Sequence, residues 1–147
     1  MKISMGCDHG GLKLKNTIKD HLLTQGYEVV DCGTYTDESC DYPDFAVKAA
    51  RAVASGACER GILVCTTGIG ISITANKVNG IRCALLSDTV SAGLCRRHND
   101  TNMMALGQGI VGEKLALQIV DTWLHAEFEG GRHQRRVDKM MAVEKNP

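Results

Sequence analysis

The sequence carries no excess charge of either sign: 17 basic residues balance 17 acidic ones over 147 positions. No global field gathers nucleic acid or an anionic membrane surface, so any anion site in this chain has to be local. No apolar run approaches the length that spans a bilayer, and the opening stretch Met1–Gly6 is too short and too polar for a signal peptide. Proline occurs only twice, and 44% of the residues are hydrophobic, which is enough to close one α/β core without a second domain. No internal repeat, low-complexity tract or linker divides residues 1–147, which read as a single domain.

Paired cysteine spacing is also missing. The seven cysteines, at positions 7, 32, 40, 58, 65, 83 and 95, form no Cys-x-x-Cys pair, and several sit inside apolar runs. The odd number and that setting favour reduced thiols in a cytoplasmic protein over a disulfide framework. Histidines 9, 21, 98, 125 and 133 show no His-x-x-x-His or Cys/His pairing, so no metal is expected. Gly68-x-Gly70 lacks the rest of the dinucleotide fingerprint, and no Gly-Lys-Ser/Thr follows it, so no nucleotide cofactor is expected.

What is present is an alternation of short apolar runs with helix-period segments, the pattern of parallel βαβ units. Strands are predicted at Lys2–Gly6, Glu28–Asp31, Gly61–Cys65, Arg82–Leu86 and Met103–Leu106. Between them Leu14, Ile18 and Leu22 recur on one helical face, as do Ala46, Ala49, Ala50 and Val53. Leu115, Ile119 and Trp123, with Ala116, Val120 and Leu124, give the widest apolar face, suited to the sheet and also to a partner subunit. A tail helix begins at about residue 132, after Gly130-Gly131.

Ligands of open parallel sheets bind beyond the carboxyl ends of the strands, which directs attention to the residues that follow them. Cys65–Ser72 leaves a strand and turns through two glycines toward a helix, a place where backbone N–H groups can cradle an anion or a developing oxyanion. The same donors would favour a thiolate on Cys65, although a strand-end cysteine with no chemistry fits the spacing equally well. Asp8-His9 follows the first strand; the aspartate reads as a helix cap or, with the histidine, as a polar ligand contact. His98-Asn99 opens a polar block that reads either as a solvated turn or as a proton carrier beside an amide. Arg132 and Arg136 share a helical face with the fork geometry that suits phosphate, or they are a solvated basic end.

Together, Gly6–Gly11, Asp41–Asp44, Cys65–Ser72 with Ala75-Asn76-Lys77, His98–Asn102 and Glu129–His133 resemble the ribose-5-phosphate isomerase B family, over nearly the whole chain. The wider family includes the subunits of galactose-6-phosphate isomerase. The resemblance implies a three-layer α/β/α sandwich on a Rossmann-like, five-stranded parallel sheet. It also implies a homodimer, or a dimer of dimers, with active sites built from two subunits. The implied reaction interconverts ribose 5-phosphate and ribulose 5-phosphate through a cis-enediolate, without metal or cofactor. Carried across, Cys65 is the base, Thr67 assists proton movement and His98 opens the sugar ring. Asp8, His9 and Asn99 contact the sugar, Thr66, Gly68, Ile69 and Gly70 line the enediolate cradle, and Arg132 and Arg136 hold the phosphate. A branch of the family uses a glutamate as base; here Ile69, Ile71 and Ile73 surround the glycines, so no carboxylate competes with Cys65.

Two positions depart from the family pattern. Thr66 stands where glycine is common, and Gly109 where many members carry a phosphate-binding arginine. Both leave the sugar open, so an isomerase of another aldose or aldose 6-phosphate, of allose or galactose type, is an alternative. A non-catalytic sugar-phosphate or nucleotide-binding module is a third reading. The presence of both Cys65 and His98 favours a homo-oligomer over a hetero-oligomer that divides these residues between different chains.

Overall fold

The computed structural model describes residues 1–146. Five strands, β1 (Lys2–Cys7), β2 (Glu28–Asp31), β3 (Arg60–Cys65), β4 (Cys83–Leu85) and β5 (Met103–Gly107), form a fully parallel sheet in the order β2-β1-β3-β5-β4. The helices are α1 (Leu12–Thr24), α2 (Tyr42–Ala54), α3 (Ile69–Asn76), α4 (Thr89–Asn99), α5 (Glu113–His125) and α6 (Arg132–Ala142). Every expected strand is found, with ends moved by at most a residue. Arg82 falls outside β4 because its amide donates to the Asn102 side chain instead of a ladder partner.

Alternation along the strands divides the core in two. Ile3, Met5, Ile62, Val64, Met104 and Leu106 meet α1, α4 and α5 through Leu14, Ile18, Leu22, Ala92, Ile119 and Trp123. On the other face Leu63, Cys65, Met103 and Ala105 meet α2 and α3 through Ala46, Ala49, Ala50, Ile71 and Ala75. The result is the three-layer α/β/α sandwich. Full burial of each of the larger aliphatic side chains contributes about 1.5–3 kcal/mol. The alanine stripe of α2 also sets a spacing: a Cβ on Gly6 would come within 2.9 Å of the Phe45 carbonyl oxygen, and Ser4 Oγ donates to the Ala49 carbonyl at 2.9 Å.

The polar block after α4 braces the fold rather than forming a solvated turn. Thr101 Oγ1 accepts the indole N–H of fully buried Trp123 at 2.9 Å. Asn102 bridges to the Arg82 amide and the Gly80 carbonyl, while Asp100, in the left-handed region at φ 47°, pairs with Arg96 and Arg82.

One buried charge supports the loop beyond β2. Lys15 is wholly buried, and its ammonium donates to Asp31 Oδ1 at 2.8 Å and to the Thr34 carbonyl at 2.7 Å, while Lys19 reaches Asp31 Oδ2 at 3.1 Å. Burial alone would push the Asp31 carboxyl up, but hydrogen bonds from Lys15, the Gly33 amide and Lys19 outweigh it and hold the group below the usual aspartate range. Among the described residues no helix is long and apolar enough to cross a membrane.

Strands β1 and β3 are neighbours in the sheet, with β2 beyond one and β5 beyond the other. Connections leaving β1 and β3 therefore diverge, and the crevice between their carboxyl ends is where the topology places a ligand.

Candidate active site

Cys65 ends β3, the central strand, and is buried against α2 and α3. Its Sγ accepts the Gly68 amide N–H at 3.1 Å. Gly68 caps α3 in the left-handed region at φ +76°, and a Cβ there would lie 2.5 Å from Leu85 Cδ1 and 2.9 Å from the Leu106 carbonyl carbon. Glycine at 68 is thus what allows the loop to fold back and aim an N–H at the sulfur. The next amide, of Ile69, donates to Thr67 Oγ1 at 3.2 Å. Two of the donors expected to face an anion are therefore engaged by Cys65 and Thr67. The donor on the sulfur faces the atom that carries the charge when the thiol gives up its proton.

Around the thiol, Asp8, Tyr42, Thr66, Thr67, Ile69, Gly70 and Ile73 line a cavity of about 480 Å³. Asp8 is buried and its Oδ1 accepts the Gly11 amide at 3.1 Å, so the capping role and the cavity role belong to one carboxylate. The loop after β1 approaches β3 closely: a Cβ on Gly10 would meet Thr66 Oγ1 at 2.2 Å, and one on Gly11 the Val64 carbonyl oxygen at 2.3 Å. From the other side the loop after β5 closes in, with the Gln108 amide on the Cys65 carbonyl at 2.8 Å and the Gly109 amide on the Thr66 carbonyl at 2.9 Å. His9 is exposed beside this mouth, its Nδ1 accepting the Cys40 amide at 3.2 Å, which leaves Nε2 as the protonated nitrogen of the neutral ring.

Tyr42, inside the Asp41–Asp44 block, has no role that the sequence pattern marks, and the fold brings it over the cradle. A Cβ on Gly70 would meet the Tyr42 ring at 2.4 Å, so the second glycine of Gly68-x-Gly70 makes room for the phenol rather than for a phosphate. Tyr42 opens α2 and is followed by Pro43, a helix-start signal that fixes the element but not what the side chain covers.

Other buried thiols are poor candidates for a base near neutral pH. Burial pushes Cys7 up to about 11, against a partial offset from Lys15, and pushes Cys83 up to about 12. Another cavity, of about 380 Å³ between α1 and α5, is lined by Lys13, Leu14, Thr17, Gln108, Val111, Gly112 and Glu113 and holds no thiol or imidazole.

His98, Asn99, Arg132 and Arg136 do not join Cys65 within one chain. Helix α4 ends at Asn99, just before β5 starts at Met103, whose register partner on β3 is Gly61; Cys65 pairs with Gly107 at the far end. Four residues of strand separate the two levels, about 13 Å of sheet depth. At this amino-terminal edge the Glu129 amide donates to the Arg97 carbonyl, which ties the start of the tail to the end of α4. Arg97 Nε donates to Glu129 Oε1 at 2.7 Å, and the His98 and His133 rings stack with centroids 4.3 Å apart and planes 8° from parallel. Arg132 and Arg136 are exposed on α6 next to this stack.

His98, Glu129 and His133 offer ligand atoms within 4.8 Å of one another, a cluster that linear spacing did not show. Rings stacked this way direct their in-plane lone pairs side by side, not toward a point, so one tetrahedral ion would require both rings to tilt.

A doubly wound α/β sandwich with a thiol, a carboxylate and two threonine hydroxyls at its switch point is built like an enzyme for a small polar substrate. The chain belongs to the ribose/galactose isomerase family, whose model matches residues 3–140. It is 53% identical over 143 residues to ribose-5-phosphate isomerase B of Escherichia coli K12, covering 97% of this chain and 96% of that protein. It is 45% identical over 141 residues to D-erythrulose-4-phosphate isomerase of Pectobacterium atrosepticum, covering 95% and 93%. Ribose-5-phosphate isomerase B of Clostridium thermocellum superposes with a TM-score of 0.98 at 57% identity, covering 99% of each chain.

Proposed function

We propose that this chain interconverts ribose 5-phosphate and ribulose 5-phosphate by proton transfer between C2 and C1, with Cys65 as the base. The observation that carries the reading is the Cys65 sulfur, hydrogen-bonded to the Gly68 amide at 3.1 Å inside a cavity shared with Asp8, Thr66 and Thr67. In the open-chain aldose the Cys65 thiolate takes the C2 proton. The C2–H electron pair forms the C1–C2 double bond, and the C1 carbonyl oxygen takes up the charge. A proton passes from the C2 oxygen to the C1 oxygen with help from Thr67, and the thiol returns its proton to C1. The amino end of α3 supports the negative charge on the cis-enediolate. Preorganised donors of this kind act only where charge develops, which is what lowers the barrier.

The ring-opening and phosphate-holding groups come from a second copy of the chain. His98, Asn99, Arg132 and Arg136 sit at the opposite edge of the sheet from Cys65, and an edge-to-edge homodimer supplies each thiol with the other chain's histidine and arginines. In such a dimer the exposed Ile69 and Ile73 at the thiol's mouth are covered.

Cys65→Ala tests the assignment. It is expected to fold and bind the sugar phosphate, while turnover and solvent-deuterium exchange at C1 and C2 both disappear. Residual exchange near the wild-type rate would remove Cys65 from the role of base.

A second reading keeps the proton transfer and shortens the sugar. The Pectobacterium relative is named for a four-carbon ketose phosphate. Thr66 narrows the cavity mouth, with its hydroxyl over Gly10 and its methyl 3.3 Å from a Cβ position on Gly109. Comparing kcat/KM for ribose 5-phosphate, D-erythrulose 4-phosphate, allose 6-phosphate and the free aldoses decides between them.

A further inference from the structure

The reading above gives His98 the ring-opening proton but says nothing of what holds that side chain, which is about a third exposed at the end of α4. Beneath it lies His133, buried, with its ring parallel to His98 at 4.3 Å. Gly130 and Gly131, at φ +64° and +57°, turn the chain in the left-handed region so that the first turn of α6 delivers His133 to this position. His133 Nε2 has no hydrogen-bond partner among the described residues, and the nearest carboxylate oxygen, Glu129 Oε2, is 3.8 Å away. A buried ring nitrogen without a partner is costly unless the ring serves another purpose.

The charges around the pair indicate that purpose. Glu129 faces both rings, at 3.9 Å from His98 Nε2 and 3.8 Å from His133 Nε2, and is itself held by Arg97. Arg132 and Arg136 bear on the stack from α6. Two imidazolium rings at this separation would repel strongly, so charging both rings at once is disfavoured. Burial comes first, then the positive charges of His98, Arg132 and Arg136, and together they hold His133 below the usual histidine range. A protonated ring lying over the face of a neutral one is itself a favourable contact.

We infer that His133 is a positioning residue for His98: a flat platform that fixes the orientation of the His98 ring by stacking. The inference rests on the proposed isomerase reading and deepens it. His133 need not touch the sugar; it acts through His98, and the planar face rather than the imidazole chemistry is what it contributes.

Two variants and two assays test this. Isomerisation of ribose 5-phosphate requires ring opening, whereas solvent-deuterium exchange into C1 of ribulose 5-phosphate starts from an acyclic sugar and requires only the thiol. His133→Leu is expected to lower ribose 5-phosphate turnover by about tenfold or more while exchange stays within about twofold, since misplacing one catalytic group affects the step it serves. His133→Phe, which keeps a flat ring, is expected to recover most of the turnover and to leave its pH profile unshifted. The inference is overturned if His133→Leu turns over normally, if turnover and exchange fall in the same proportion, or if His133→Phe is as impaired as His133→Leu. Cys65→Ala, run alongside, reports on the underlying reading separately: exchange that survives in that variant sinks the base and leaves the stacking comparison intact.

Discussion

The Gly68 amide nitrogen lies 3.1 Å from the Cys65 sulfur, and the loop that makes this contact tolerates no side chain at position 68. Gly68→Ala is expected to cost about 1–3 kcal/mol, from a left-handed backbone and a collision with Leu85 and Leu106. It should lower kcat more than it raises KM, because the displaced amide serves the thiolate and not the resting sugar. Thermal unfolding and steady-state kinetics on the same preparation check both parts.

Mixing two inactive variants tests the shared site. Cys65→Ala and His98→Ala, refolded together in equal amounts, are expected to regain about a quarter of wild-type turnover: half the dimers are mixed, and one of the two sites in each has both groups. If thiol and histidine served the same chain's site, no combination would recover activity.

How much of this was legible in the sequence depends on what each residue needed in order to be read. The strands and the Leu14/Ile18/Leu22 and Ala46/Ala49/Ala50 stripes follow from period 2 and period 3.6 alone. Cys65, Asp8 and Gly68 were visible because the ends of parallel strands are where ligands go. Tyr42 was not assigned because only tertiary packing brings it over Gly70, and Glu129 and His133 were not tied to His98 because more than thirty residues separate them in the chain. Nothing in the spacing marks Lys15, next to Leu14 on α1, as a buried charge; its partner Asp31 lies at the end of another element. The block after α4 reads as a solvated turn or a proton carrier, and not as a brace, because its polar residues pair with Arg82, Arg96 and Trp123 at long range or across a helix cap.

Thr66 and Gly109 are expected to act as a pair. Gly109→Arg alone must place its Cβ 3.1 Å from the Thr66 carbonyl oxygen and 3.3 Å from the Thr66 methyl, and so should gain little. Thr66→Gly with Gly109→Arg opens the path for a guanidinium toward the phosphate. KM for ribose 5-phosphate should then fall by about tenfold, the value of one good charged contact. The free aldoses, which offer no phosphate, should show no matching gain.

The Lys15–Asp31 pair should appear as a pH dependence of stability. The folded-state carboxyl is held below the ordinary aspartate value of 3.8, so its stabilisation is fully present above that value and is lost as pH falls through the lower, folded value. Chemical denaturation of wild type and Asp31→Asn should differ by a constant amount from neutral pH down to about 5 and draw together only as pH falls below about 4. Lys15→Met, which strands a carboxylate that is only 10% exposed, should cost about 3–5 kcal/mol near neutrality, with Lys19 recovering part of it.

The sheet depth that stands between Cys65 and His98 has a consequence for how the enzyme responds to dilution. Under the proposed shared site, a lone chain would hold half of two different sites and a whole of neither. Specific activity would then be a property of the association equilibrium as well as of the chemistry. Progress curves recorded from micromolar to picomolar protein should bend downward where the assembly dissociates, so that turnover itself measures how tightly the copies hold each other.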